Sequence, residues 1–222
     1  MSNEIKVKIC GQTSLADADM SIALGADFIG VVYQVEASIR SLEMEAARPI
    51  FEKHRDRAFL LTWNAPLEEI VDAVMELDPY AIQLTGNETP EDLAALKDET
   101  GGVIYKSIHL PPAGGDTAET PESILERMKL YVEAGADGFV LDTVAGGLYG
   151  GTGEQSDWEL ASQITASSPA PIFIAGGINP ENVAQAAAMP GILGVDMASG
   201  VESEKGIKSK EKIEALFAAL GR

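Results

Sequence analysis

The chain has 222 residues, with 16 basic and 35 acidic side chains, and its formal net charge at pH 7 is −19. That charge repels nucleic-acid phosphates and anionic membranes, so we expect neither as a partner. No apolar stretch approaches the roughly 20 residues of a membrane helix, and no signal-peptide pattern opens the sequence. One cysteine excludes an intrachain disulfide, so we expect a cytoplasmic protein. We also expect a monomer or homodimer.

Short β-rich runs alternate with longer helix-like stretches along the chain. The predicted strands are Ile5–Ile9, Phe28–Tyr33, Ala58–Trp63, Ala81–Leu84, Val103–Ile108, Gly138–Leu141, Ile172–Ile174 and Gly194–Met197. The predicted helices, one after each strand, are Leu15–Leu24, Met44–His54, Leu67–Leu77, Pro90–Asp98, Pro121–Ala134, Trp158–Ala166, Pro180–Ala188 and Lys210–Leu220. Thr89, Thr120 and Asn179 each precede a proline and a glutamate, which is typical of a helix N-terminus.

Eight β/α units therefore follow one another without a linker. Alternation of this kind predicts a parallel sheet, and eight such units predict an α/β fold with one (β/α)8 TIM-barrel domain over residues 1–222. A doubly wound open sheet is the alternative, but the even spacing of the units favours closure.

The carboxyl ends of the strands carry the chemistry in such barrels. Cys10-Gly11 ends the first predicted strand, Thr85-Gly86 the fourth and Asp142-Thr143 the sixth. The commoner fate of a free cysteine is to fill a core as a small hydrophobe. The position of Cys10 at a strand end, before a glycine, favours a reactive thiol instead.

Two glycine-bearing turns follow the last two predicted strands. We predict that Gly176, Gly177, Ser199 and Gly200 hold a phosphate, because barrels often bind phosphate there and backbone N–H groups approach it where side chains are absent. The alternative is that the glycines only permit tight turns. Such a local cradle would overcome the repulsion of an anionic ligand by the chain's negative charge.

The loop after the sixth predicted strand is also rich in glycine. It contains Gly146, Gly147, Gly150, Gly151 and Gly153, which predicts a mobile segment that covers a substrate. It is not a P-loop, because Gly-Lys-Ser/Thr is missing. Asp142 lies at its base, where it would face the barrel mouth.

Six motifs in chain order resemble those of the phosphoribosylanthranilate isomerase family. They are "KICGQT", "GADFIGVV", "IQLTGNE", "LDT…GGTG…DW", "IFIAGGINPENV" and "GVDMASGVESEKGIKSKEKI". The similarity extends from residue 5 to about residue 218, and the motifs at the first, sixth and eighth strands are specific in combination.

The resemblance implies an isomerase of tryptophan biosynthesis that carries out the Amadori rearrangement of N-(5′-phosphoribosyl)anthranilate without metal or organic cofactor. The expected partner is therefore a small phosphosugar, which is the substrate. Cys10 would be the general base at C2′ and Asp142 the general acid at the furanose ring oxygen. Such chemistry calls for a lowered pKa or a favourable local field at Cys10, and for a protonated Asp142. Asp196 would bind a substrate hydroxyl or act as a structural acceptor, while Asp157 and Trp158 would cap and pack the following helix.

Two stretches depart from the family pattern. The loop after the second strand usually carries Ser-Pro-Arg; here Arg40 is the equivalent that would meet the anthranilate carboxylate, and Ile39 replaces the proline. The fourth strand usually ends in Gln-Leu-His-Gly, whereas here Thr85 replaces the histidine in the substrate pocket. Neither histidine of the chain is an obvious substitute: His109 lies beyond the fifth predicted strand, and His54 is expected to be solvated.

Three alternative functions stay open. The chain could be a paralogue that acts on a related phosphosugar amine. It could be a barrel lyase or aldolase, but none of the strand ends considered above carries a lysine, which argues against Schiff-base chemistry, and Lys106 in the fifth predicted strand is the nearest candidate. It could also be a phosphate-ligand-binding barrel without catalysis.

Overall fold

The structure is a computed structural model that describes residues 4–110, 119–145, 148–149 and 158–222. Its strands are β1 (Lys6–Ile9), β2 (Phe28–Tyr33), β3 (Ser41–Leu42), β4 (Ala58–Thr62), β5 (Ala81–Leu84), β6 (Ile104–Leu110), β7 (Gly138–Ala145), β8 (Leu148–Tyr149), β9 (Ile172–Ile174), β10 (Gly194–Met197), β11 (Glu202–Glu204) and β12 (Ile207–Lys208). Its helices are α1 (Leu15–Ala23), α2 (Met44–His54), α3 (Leu67–Leu77), α4 (Pro90–Thr100), α5 (Pro121–Glu133), α6 (Trp158–Ala166), α7 (Val183–Ala187) and α8 (Lys210–Ala219).

Eight parallel strands close into a barrel. The order around the ring is β1, β10, β9, β7, β6, β5, β4 and β2, and β2 pairs again with β1. This confirms the predicted (β/α)8 fold and excludes the open sheet. The remaining strands are short additions: β3 extends from β2, β8 folds back antiparallel on β7, and β11 and β12 form a hairpin after β10.

The helices begin where local hydrogen bonds favour them. Thr89 and Thr120 each cap a helix through a reciprocal capping box, as their Thr-Pro-Glu sequences predict. The predicted helix from Pro180 to Ala188 is shorter in the structure: residues 180–182 form a turn, with reciprocal hydrogen bonds between Asn179 and Asn182, and α7 begins at Val183. Within the described ranges, none of the helices combines the length and apolar character needed to cross a bilayer.

One boundary difference matters for the site. The fifth barrel strand was predicted to end at Ile108, but β6 continues to Leu110 because its pairing with β7 continues to Leu110 and Thr143. His109 therefore lies inside a strand, opposite Asp142 in the register.

Aromatic rings fill the amino-terminal end of the barrel interior. Phe28, Phe59, Tyr80, Tyr105 and Phe173 pack with ring centroids 4.9 to 6.3 Å apart. Each of these residues lies within one position of the first residue of its strand, which places the cluster at the opposite end from the predicted chemistry. The inner core thus occupies one half of the barrel and leaves the other half to the site.

Candidate active site

A cavity opens at the carboxyl ends of the barrel strands. Eight of the nine predicted site residues line it: Cys10, Arg40, Thr85, Asp142, Gly176, Gly177, Asp196 and Ser199. The ninth, Gly200, does not, and a Cβ atom there would lie 1.9 Å from the Ile178 carbonyl oxygen. What the structure shows for Gly200 is close packing of two backbone turns, so its contact with phosphate stays a prediction.

Cys10 lies at the point where β1 ends and faces the cavity. Its backbone N–H donates to the Met197 carbonyl at 2.8 Å, and its carbonyl accepts from Nζ of Lys208 at 2.6 Å. A Cβ atom on Gly30, in the neighbouring strand, would lie 2.8 Å from Sγ, so the glycine makes room for the thiol.

Burial raises the pKa of the Cys10 thiol above its usual 9.0. The ammonium groups of Lys8 and Lys208 act in the opposite direction, while the carboxylates of Asp196 and Asp142 reinforce the rise. Of the two conditions that the chemistry would call for at Cys10, a lowered pKa is not met, whereas a favourable local field from two lysines is present. The thiol form dominates at neutral pH.

A buried ion pair forms the floor of the cavity. Nζ of Lys8 lies 2.7 Å from Oδ2 of Asp196, and the lysine side chain is 0% exposed. The ammonium also lies 5.2 Å from the ring centroid of Phe59, where a cation–π contact helps to offset desolvation. Lys8 was not predicted as a site residue, because a lysine side chain is usually exposed to solvent.

The two carboxylate oxygens of Asp196 differ in their contacts, because only Oδ2 pairs with Lys8. Oδ1 of Asp196 is buried and has no hydrogen-bond partner among the described residues. The structural role that we considered for Asp196 is thus met by one oxygen, and the second is placed to accept a hydroxyl from a ligand.

Asp142 lines the cavity from β7 and is half-buried. In the ring, β7 adjoins β9 while β1 adjoins β10. Asp142 and Cys10 therefore flank the two glycine-bearing turns from opposite sides. The five glycines of the loop after the sixth barrel strand lie outside the described residues, as does Asp157, so the predicted cover over the substrate stays a prediction; Trp158 packs against the core as expected.

The turn after β9 is suited to an anion. Gly176 and Gly177 have φ values of +92° and +70°, a backbone conformation that side chains rarely adopt. Both residues and Ser199 line the cavity. Neither glycine has a side chain of its own to separate its N–H from a ligand, which is how backbone turns hold phosphate.

Arg40 reaches the cavity from the loop between β2 and β3. Its Nε and Nη2 donate to the two oxygens of Glu202, each at 2.7 Å. Nζ of Lys208 donates to the same carboxylate at 2.9 Å. Burial alone would raise the pKa of Glu202, but the hydrogen bonds from Arg40 and the charge of Lys208 lower it to about 2. Glu202 and Lys208 carried no signal that the sequence analysis used.

The far wall of the cavity contains Trp63, Thr85 and His109. The hydroxyl of Thr85 donates to the Thr62 carbonyl, and Nε2 of His109 lies 2.8 Å from the Thr85 carbonyl oxygen. Since a carbonyl oxygen only accepts, Nε2 must carry the hydrogen. Burial lowers the pKa of His109, so its imidazole is neutral at pH 7.

Comparison with known proteins gives the family. The model of the family described as N-(5′-phosphoribosyl)anthranilate (PRA) isomerase matches residues 7–219. The chain belongs to this family. It is 38% identical over 221 residues to the N-(5′-phosphoribosyl)anthranilate isomerase of Rubrobacter xylanophilus, covering 96% of this chain and 98% of that one.

Solved structures of family members have the same fold. The phosphoribosyl anthranilate isomerase of Thermus thermophilus superposes with a TM-score of 0.79 at 32% identity, over 98% of both chains. A phosphoribosyl anthranilate isomerase in complex with reduced 1-(o-carboxyphenylamino)-1-deoxyribulose 5-phosphate superposes with a TM-score of 0.78 at 26% identity, again over 98% of both chains.

The structure places His109 of β6 on the same cavity wall as Thr85, which follows the neighbouring strand β5. The sequence did not single out His109 as a site residue, yet His109 lines the cavity. Alternation along β6 was the missing signal, since Tyr105, Ser107 and His109 all face inward.

The two other basic residues that we considered are placed away from the cavity. Nζ of Lys106 lies 2.7 Å from the Gly86 carbonyl oxygen and 5.9 Å from the ring centroid of Tyr131 in α5, outside the barrel. Schiff-base chemistry at Lys106 is therefore incompatible with this isomerase site. His54 is 8% exposed, with Nε2 2.8 Å from Oδ1 of Asp19, so the expectation of a solvated His54 was also wrong.

Proposed function

We propose that the chain catalyses the Amadori rearrangement of N-(5′-phosphoribosyl)anthranilate, with Cys10 as general base and Asp142 as general acid. The product is 1-(o-carboxyphenylamino)-1-deoxyribulose 5-phosphate, whose reduced form is the ligand of the solved family member. The observation that carries the proposal is that both side chains line one cavity between a glycine turn and an arginine.

The reaction needs one proton donor and one proton acceptor. Asp142 gives a proton to the ring oxygen as the C1′–O bond breaks, and the nitrogen lone pair forms the C=N bond of an iminium ion. Cys10 then takes the proton from C2′, and the electron pair of that C–H bond returns to neutralise the iminium nitrogen. The enolamine formed in this way becomes the ketone by tautomerisation.

The electrostatics of the cavity support this division of roles. A thiol whose pKa is raised is a strong base once ionised, although the ionised fraction is small. Lys8 and Lys208 stabilise the thiolate, while negative charge on Asp142 and Asp196 destabilises it. Protonation of Asp142 therefore assists ionisation of Cys10. In turn, a thiolate at Cys10 favours the protonated form of Asp142, which the general acid requires.

The positions around the ring orient an elongated substrate. We place the phosphate at Gly176, Gly177 and Ser199, above β9 and β10, and the aromatic group near Trp63 and Thr85. Those two residues follow β4 and β5, which lie across the ring from β9 and β10. Oδ1 of Asp196 would then accept a ribose hydroxyl in the middle of the cavity, beside Cys10.

The proposal is tested with purified chain and phosphoribosylanthranilate. We expect the anthranilate-type fluorescence of the substrate to disappear as the ketone forms, with inorganic phosphate as a competitive inhibitor. If phosphoribosylanthranilate binds and inorganic phosphate displaces it, but the substrate is not converted, this function would be overturned. That result would favour a phosphosugar-binding barrel or a paralogue with another substrate.

A further inference from the structure

The hairpin of β11 and β12 sends two charged side chains back toward the site. Glu202 and Lys208 come from the two strands of this hairpin, and their side chains are 4% and 0% exposed. Glu202 contacts Arg40, while Lys208 contacts the carbonyls of Cys10 and Ala198. The hairpin therefore connects the arginine of one loop to the backbone beside the proposed base.

Lys208 has the partners of an ammonium ion. Its Nζ lies 2.6 Å from the Cys10 carbonyl, 3.3 Å from the Ala198 carbonyl and 2.9 Å from Oε1 of Glu202. Three acceptors match the three N–H donors of a protonated lysine. One guanidinium, one carboxylate and one ammonium leave this cluster with a net positive charge, despite the −19 of the whole chain.

Gly11 and Glu202 determine where the Arg40 side chain lies. A Cβ atom on Gly11 would lie 2.4 Å from Cδ of Arg40, so the side chain crosses directly over the glycine. Glu202 occupies two of the five guanidinium donors, and the other three have no partner among the described residues. Within the loop, the backbone N–H of Arg40 donates to Oγ of Ser38 at 3.2 Å, which holds the backbone, while the guanidinium itself is held by Glu202.

We propose that Glu202 is a positioning residue, which holds the guanidinium of Arg40 at the cavity so that its remaining donors bind the carboxylate of the substrate's aromatic acid. Lys208 keeps the cluster attractive to that anion after Glu202 has neutralised one positive charge. This inference rests on the proposed function, because it assigns the carboxylate end of the same substrate.

The test measures carboxylate binding with and without turnover. Kinetics with phosphoribosylanthranilate and calorimetric titration with anthranilate are compared for wild type, Glu202→Gln, Arg40→Ala and the double variant. We expect Glu202→Gln to raise both KM and the anthranilate Kd about tenfold, the effect of one charge-assisted hydrogen bond, with kcat unchanged. In the Arg40→Ala background, Glu202→Gln should have no further effect, because the residue that it positions is gone.

Glu204→Gln is the matched control, since it makes the same charge change at an exposed site of the same hairpin and should alter neither constant. If Glu202→Gln fails to fold because Lys208 is left buried without a counter-charge, Glu202→Asp keeps that charge but shortens the side chain by one methylene group, so it should weaken the two hydrogen bonds to Arg40 and raise Kd in the same direction.

An unchanged KM and Kd in folded Glu202→Gln, or an equal rise in the Arg40→Ala background, would overturn the inference. Absence of turnover in wild type would count against the proposed function alone. Glu202-dependent binding of anthranilate would still support the positioning role in that case.

Discussion

Replacing Cys10 by alanine tests whether this residue acts as a reactive thiol or only fills space in the core. The substitution removes one atom, Sγ, of about the size of a methylene group, which is worth roughly 0.8 kcal/mol when buried. Because Cys10 lines an open cavity, no closed void is left. For a chain of 222 residues we therefore expect the thermal midpoint to fall by only about 2–4 °C.

The effect on turnover should be far larger. Loss of a general base typically reduces the rate by about 10²–10⁴-fold, which corresponds to roughly 3–5 kcal/mol of transition-state stabilisation. The assay follows loss of substrate fluorescence, and circular dichroism of the same samples reports the folded fraction. Val32→Ala is the matched control, because it trims the same cavity wall without removing a titratable group.

The two possible roles of Cys10 predict opposite results. A core cysteine would lower the midpoint strongly and leave the activity of the folded molecules intact. Turnover within tenfold of wild type in folded Cys10→Ala would refute the assignment of the thiol as the base.

Asp142→Asn keeps the shape of the side chain but has no acidic proton, so kcat should fall by about 10²–10⁴-fold with KM little changed; wild-type kcat would make Asp142 a loop anchor. Alkylation by iodoacetamide reports Cys10 alone, since the chain has one cysteine. Because burial raises the pKa of Cys10 above 9.0, the alkylation rate of the native chain should still increase with pH at pH 9. In the chain unfolded by guanidinium, the pH at which the rate is half-maximal should lie near the ordinary pKa of a cysteine. A native midpoint below that of the unfolded chain would contradict the structure. Gly200→Ala should destabilise the fold by about 1–3 kcal/mol and weaken inhibition by phosphate, because the new methyl group meets the Ile178 carbonyl. Gly102→Ala, which meets only ordinary contacts, is its control, and equal stability of the two variants would refute that packing argument.

Most of the barrel was predictable from periodicity. The predicted bounds of β2, β5, β9 and β10 agree with the structure residue for residue, because their apolar runs are bounded by turn residues. The short strands β3, β8, β11 and β12 span two or three residues each, too few to show a periodic signal.

The missed site residues have a common cause. Lys8, Glu202 and Lys208 are charged residues whose local sequence is typical of a solvated surface. Their burial arises only when β10 returns to β1 and the hairpin folds over the junction. For the same reason the direction of the pKa shift of Cys10 was not predictable, since desolvation depends on neighbours remote in sequence.

The ion pair between Lys8 and Asp196 also constrains the order of folding, because it joins residues 188 positions apart. Contacts of such long range form late, after much of the chain has lost its conformational entropy. A folding intermediate in which β2 to β9 are paired but β10 has not reached β1 has no cavity floor. It also has no hydrogen bond from the Cys10 amide to the Met197 carbonyl. During refolding, ellipticity reports the helices as they form, whereas regain of turnover marks the closing of the ring.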